Sequence, residues 1–129
     1  MTIQRGIKLL EETEGEGRLA QKGDRVVYNL RIHLNRGDEV PMNERQAQHV
    51  PGQLLRDVDG RTVVDHTTTL GRRQSIAAVE YALIGMCEGG YRKLRASPHL
   101  AYGTKGIPDL IPANAVLVLE IWLRSVVNG

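Results

Sequence analysis

Few residues in this chain have the type and spacing of a reactive centre. Its four histidines, His33, His49, His66 and His99, are scattered, and the single cysteine, Cys87, has no second thiol with which to form an intrachain disulfide. No histidine, cysteine and carboxylate group follows metal-ligand spacing, and no catalytic triad is visible. Cys87 itself reads as a buried or half-buried thiol. The side chain with most to offer is Tyr102, in the compact turn Ala101-Tyr102-Gly103, because a packed phenol has an apolar body and a hydroxyl that needs a polar partner.

A loop must deliver that tyrosine. Proline fixes its own φ and lacks an N–H, so the loop through Gly106, Pro108 and Pro112 cannot join a sheet interior, whereas the apolar run from Ala115 to Leu123 can. Tyr102 is thereby placed at one end of a buried strand. On that strand Leu117, Leu119, Ile121 and Leu123 share one face, and Val116, Val118, Glu120 and Trp122 take the other.

The remaining elements are read by period. Val26, Tyr28, Leu30, Ile32 and Leu34 alternate with polar or outward positions, which predicts a half-buried strand ending at the turn cluster 35–38; His33 falls on its polar face and reads as solvated. Gly6 to Glu12 is a short apolar run that pattern alone leaves open between strand and helix. Asp59-Gly60, between Leu54–Val58 and Arg61–Val64, signals a hairpin tip. Ile76, Val79, Leu83 and Met86 recur at helical spacing, so an amphipathic helix is expected from a Ser75 cap to the break at Cys87-Glu88-Gly89-Gly90. Tyr91 to Ala96 reads as a strand leading into Ser97-Pro98.

Composition sets the class. At 129 residues the chain suits one domain, read as 1–129, and the formal charge of +2 with interleaved signs gives no basic face for nucleic acid. No apolar run approaches the length needed to span a membrane, the N-terminus shows no apolar leader, and the lone cysteine fits a reducing compartment, so a cytoplasmic location is expected. Aromatic residues make up only 4%, with no Phe, so any pocket that needs flat walls is short of them.

The ordered pattern "LAYG" followed by "G-x-x-x-x-IP-x-N-A-x-L-V-x-E-I", preceded by "LG-x-x-x-x-I" and "L-x-GM-x-x-G", resembles two signatures of the FKBP family of peptidyl-prolyl cis-trans isomerases. The resemblance implies an α+β fold in which an antiparallel sheet wraps around one short α-helix, with an opening strand at Gly6 to Glu12 and with residues of roughly 41–69 carrying an inserted hairpin, about fifteen residues longer than a minimal domain. It implies isomerisation of exposed X-Pro bonds in proline-containing peptides or proteins, a reaction that needs no cofactor, metal, acid or base.

Carried over by position, the backbone N–H of Ile76 matches the donor to the substrate carbonyl, Tyr102 matches the rim tyrosine and Ile111 falls on a wall position. Elsewhere the aromatic bowl is replaced: Val79 stands for the floor tryptophan, Leu30 for the strand tyrosine when Gly23-Asp24 sets the register, Val40-Pro41 for Phe-Asp, and Leu119 for the Phe of the last strand. The resulting expectation is an isomerase of reduced activity whose macrolide binding is weak or absent. The alternative is a non-catalytic module that holds a protein partner at a sheet edge or at the inserted hairpin.

Overall fold

Strict alternation of β-branched and aliphatic residues builds the two strands that form the spine of the molecule. In the computed structural model, which describes residues 2–40, 55–58, 61–73, 75–107 and 111–128, β3 (Arg25–Leu34) pairs antiparallel with β8 (Leu117–Val127). The register sets Tyr28 opposite Leu123, Leu30 opposite Ile121, Ile32 opposite Leu119 and Leu34 opposite Leu117, so the apolar positions of both strands share one face. Between Val27 and Tyr28 the register slips by one residue around Arg124, and past this bulge Val126, not Ser125, turns inward to meet Val26.

Four further strands complete a six-stranded antiparallel sheet: β1 (Thr2–Gln4), β2 (Ile7–Thr13), β6 (His66–Thr69) and β7 (Tyr91–Ala96), in the order β1-β2-β7-β8-β3-β6. The strand alternative for Gly6 to Glu12 is thus the one taken. Separately, β4 (Leu55–Val58) and β5 (Arg61–Val64) pair as the expected hairpin, with Val58 opposite Arg61; its tip, Asp59-Gly60, lies outside the described residues, as does 41–54. Within the segment 41–69 that reads as inserted, β6 belongs to the main sheet, paired with β3 through Tyr28 and His66.

Among the described residues an α-helix, α1 (Ala77–Leu83), lies on the inner face of the sheet and buries Ala78, Val79, Ala82 and Leu83. It is shorter at both ends than the periodicity suggests. Ile76, not Ser75, occupies the N-cap, and no side chain caps the first turn. At the other end Gly85 takes φ +92°, a conformation open to glycine and costly for other residues, and the chain leaves the helix before Met86 and Cys87. Met86 keeps its inward orientation because Ala20 and Met86 are joined through backbone, Ala20 N–H donating to the Met86 carbonyl at 2.7 Å. The core is one apolar cluster of Leu, Ile, Val and Ala around Tyr28.

Candidate functional site

The loop that carries Tyr102 is held by its own backbone. Gly103 N–H donates to the Pro98 carbonyl at 2.8 Å, Gly106 N–H to the Tyr102 carbonyl at 3.1 Å, and Asn114 N–H to the Gly103 carbonyl at 2.8 Å. Ile107 and Ile111 exchange both backbone bonds at 2.8 Å, closing the loop base. Gly106 is required there: at φ +60° a Cβ would lie 2.2 Å from the Ile111 carbonyl oxygen. The Tyr102 ring packs half-buried against the core, and burial pushes its phenol above the ordinary tyrosine range. Its hydroxyl makes no hydrogen bond with a described residue.

Ile76 stands at the point where the loop enters the helix. Its carbonyl accepts from Val79 N–H at 3.1 Å and Glu80 N–H at 3.2 Å, while its own N–H has no partner among the described residues, as expected for a residue at a helix start. Beside it Ser75, one position outside the cap, turns its hydroxyl inward. Ser75 Oγ is buried without a hydrogen-bond partner among the described residues, and the Tyr28 phenol lies beside it without completing a bond of hydrogen-bond geometry. The expected Ser75 cap is therefore not formed, and the hydroxyl is buried beside Tyr28.

The seven positions singled out from the sequence join one apolar cluster but differ in access. Leu30, Val40, Ile76 and Tyr102 are half-buried and pack against the core from its rim. Val79, Ile111 and Leu119 are closed to solvent, at 1%, 3% and 0% exposure, which makes them core under the rim instead of an open floor. Val40 is positioned by its N–H donating to the Ile32 carbonyl at 2.8 Å, and the preceding Glu39 is tied to Arg31 Nε at 2.7 Å.

Beneath the rim lie two ring residues, Tyr28 and His66, that were not singled out from the sequence. They face each other across β3 and β6, with ring centroids 5.3 Å apart and planes inclined by 25°. Tyr28 is buried; desolvation pushes its phenol up to about 12, the nearby Ser75 hydroxyl pulling the other way and Tyr102 and Glu80 adding to the rise. Burial lowers the His66 pKa, against the pull of the adjacent Asp65 carboxylate. A signal for Tyr28 was present in its inward phase on β3. None existed for His66, because its strand is four residues long and mostly threonine.

The outer face of the sheet carries a second polar group. His33 is not solvated as expected but half-buried, its Nε2 2.7 Å from Glu120 Oε1, and Tyr91 donates its hydroxyl to Glu120 Oε2 at 2.7 Å. Trp122 points to this outer face and packs on Tyr91 at 5.2 Å. Among the described residues no group of three or more His, Cys, Asp or Glu is arranged to hold a metal ion. No helix there is long and apolar enough to cross a membrane.

Residues 16–124 match the family described as FKBP-type peptidyl-prolyl cis-trans isomerase. FK506-binding protein 1A of Neurospora crassa is 32% identical over 129 residues, covering 98% of this chain and 94% of that protein. FK506-binding protein 4 of Chaetomium thermophilum is 32% identical over 124 residues, 96% of this chain but 22% of that protein. The 39 kDa FK506-binding nuclear protein of Drosophila melanogaster is 30% identical over 127 residues, 97% and 30% respectively. The chain therefore spans only about a fifth to a third of the longer relatives and nearly the whole of the shorter one.

Proposed function

Since this chain belongs to the FKBP-type peptidyl-prolyl cis-trans isomerase family, we propose that it catalyses cis–trans isomerisation of exposed X-Pro bonds, with reduced efficiency. Rotation about an amide is opposed by resonance, with a barrier of about 18–20 kcal/mol, so a catalyst has only to favour the twisted form. An apolar surface removes water from the imide, and fixed donors hold the neighbouring carbonyls. The observation that carries the reading is that two donors without a partner among the described residues, the Ile76 N–H and the Tyr102 phenol, belong to residues that pack half-buried on the same apolar core as Leu30 and Val40. In this arrangement Ile76 and Tyr102 are the donors, and Leu30 and Val40 hold the proline ring.

Reduced efficiency follows from access. With Val79, Ile111 and Leu119 sealed beneath the rim, the ring meets a shallower surface than an aromatic bowl offers, which supports weak or absent macrolide binding as well. That same sealing favours the second reading, a non-catalytic module that holds a protein partner at a sheet edge or at the inserted hairpin. We propose a cytoplasmic location; the single cysteine, Cys87, is free and half-buried, which suits a reducing compartment.

A protease-coupled isomerisation assay on short Leu-Pro and Phe-Pro peptides separates the two readings. The expected result is acceleration above the uncatalysed rate but below that of an aromatic-lined family member. No acceleration with either peptide would overturn catalysis and leave the binding module.

A further inference from the structure

We infer that the solvent side of α1 and the loops beside it form a docking groove for an acidic segment of a partner protein, one that carries an apolar residue among its carboxylates. The groove has a volume of about 560 Å³; Ala77, Tyr81 and Ile84 line it from the helix and its end, and Lys22, Gly71 and Arg73 from the loops. These residues are separate from those assigned to the X-Pro rim. Tyr81 and Ile84 stand three positions apart, which sets them on one side of the helix, and each is 37% exposed. The helix buries Ala78, Val79, Ala82 and Leu83 in the core, so these two large apolar side chains are what it turns toward water. Exposed apolar residues scattered singly are ordinary, but two lining the same groove mark a surface that gains from being covered.

The charges at the groove decide what covers it. Gly23 N–H donates to the Leu70 carbonyl at 2.8 Å and Leu70 N–H to the Asp24 carbonyl at 2.9 Å, so the loops that carry Lys22 and Arg73 are laced together. A Cβ at Gly71 would stand 2.6 Å from Lys22 Cγ; only because that position is glycine can the lysine stem lie along the loop backbone. Lys22, Arg73 and the exposed Arg72 form no ion pair with a described residue. The neighbouring acids are already engaged: Glu80 accepts from Gly71 N–H at 3.3 Å, and Asp24 from Gln21 N–H at 3.0 Å. Lys22 and Arg73 outnumber Glu80 among the charges that line the groove, and Arg72 beside them adds to the excess. Carboxylates complement those cations, and an apolar side chain complements Tyr81 and Ile84. A small anion would leave Tyr81 and Ile84 in water, and a purely apolar segment would bring nothing to Lys22 and Arg73. The acidic segment with an apolar residue satisfies both.

The test titrates the full chain into three fluorescein-labelled peptides, reading Kd by anisotropy at pH 7.5: Glu-Asp-Leu-Asp-Leu-Glu, the same peptide with serine in place of leucine, and Lys-Lys-Leu-Lys-Leu-Lys. None contains proline, so the X-Pro rim stays out of the readout and a failure here leaves the isomerase reading untouched. The acidic leucine peptide should bind more tightly than either of the others by roughly threefold or more, and its affinity should weaken as salt rises from about 50 to about 500 mM. Arg73→Glu should weaken that affinity by roughly threefold or more through charge, and Ile84→Ser and Tyr81→Ser by a similar factor through lost apolar contact. All three positions are exposed, and the Tm of each variant checks that it is folded. No saturation at about 1 mM protein, equal affinity for the serine peptide, or preference for the lysine peptide would overturn the groove. So would an affinity that Arg73→Glu and the two serine variants leave unchanged.

Discussion

Arg92 of β7 donates Nη1 to the carbonyl of Ala82 at 2.9 Å, so a strand side chain closes the last turn of the helix that carries Val79. The same side chain reaches the Ile84 carbonyl at 3.4 Å and Glu12 Oε2 of β2 at 2.6 Å, and only 12% of it is exposed. The helix has no basic residue of its own in its last turn, where carbonyls lack partners and a cation is favoured. Arg92 thereby joins two strands to the helix and fixes the distance between sheet and site.

Replacing Arg92 by Met removes those donors and leaves helix carbonyls unpaired while keeping much of the apolar stem. We expect a loss of about 1–3 kcal/mol in urea unfolding, because several charge-assisted bonds vanish at a half-buried place. Glu12→Gln should cost less, since the bonds from Arg92 to the carbonyls survive. A midpoint unchanged in Arg92→Met would mean that the clamp carries no stability.

Tyr102→Phe separates chemistry from folding. The loop is held through backbone bonds at Tyr102, Gly103 and Gly106, and the phenol itself bonds no described residue. Stability should therefore stay within about 0.5 kcal/mol of wild type. The kcat/KM on a Leu-Pro peptide should fall roughly three- to tenfold, the worth of one ordinary hydrogen bond to the reacting peptide. Unchanged kcat/KM would remove Tyr102 from the site.

Val79→Trp tests whether an aromatic floor can be restored. Val79 is 1% exposed on a helix whose neighbouring Ala78, Ala82 and Leu83 are at 0%, which leaves no room for an indole. Overpacking a closed core costs about 1–3 kcal/mol, so this variant should be less stable and no more active. A gain in isomerase activity at wild-type stability would show that an aromatic floor can still be accommodated beneath the rim.

How far the sequence could reach is clear from individual elements. Leu117, Leu119, Ile121 and Leu123 announced the core face of β8 because a period of two needs no tertiary information. The inward turn of Val126 did not follow from that period, since the bulge at Arg124 is decided by pairing with β3. The helix was legible in phase and not in length: the spacing of Ile76, Val79, Leu83 and Met86 survives beyond the last helical residue because Met86 is held inward through Ala20. Ser75 looked like a cap because its type suits one, yet the chain places it one position too early. At the site, Tyr102 and Ile76 could be picked from their motifs. His66 became aromatic company for Tyr28 only through cross-strand register, which no local pattern encodes.

Two carboxylates give the fold a defined response to acid. Glu88 Oε2 accepts from Val126 N–H at 2.6 Å and Oε1 from Arg18 N–H at 3.1 Å, tying the turn before β7 to β8 and to the segment entering β3. The Val126 bond, then the Arg18 bond, lower its pKa below the ordinary glutamate value of 4.5. Glu120 on the outer face is opposed by its own desolvation, but the Tyr91 hydroxyl and His33 outweigh it and the net direction is again downward. A carboxylate with a folded pKa below its unfolded one contributes stability that is complete above the unfolded value and disappears as pH falls through the folded value. Thermal unfolding should therefore show a Tm that begins to fall as pH drops to about 4.5 and continues falling below it. Glu88→Gln should unfold at lower temperature near pH 7, because the amide keeps only one acceptor, and should converge toward wild type by pH 3. Parallel Tm curves for wild type and Glu88→Gln across this range would mean that Glu88 is not one of the groups that titrate.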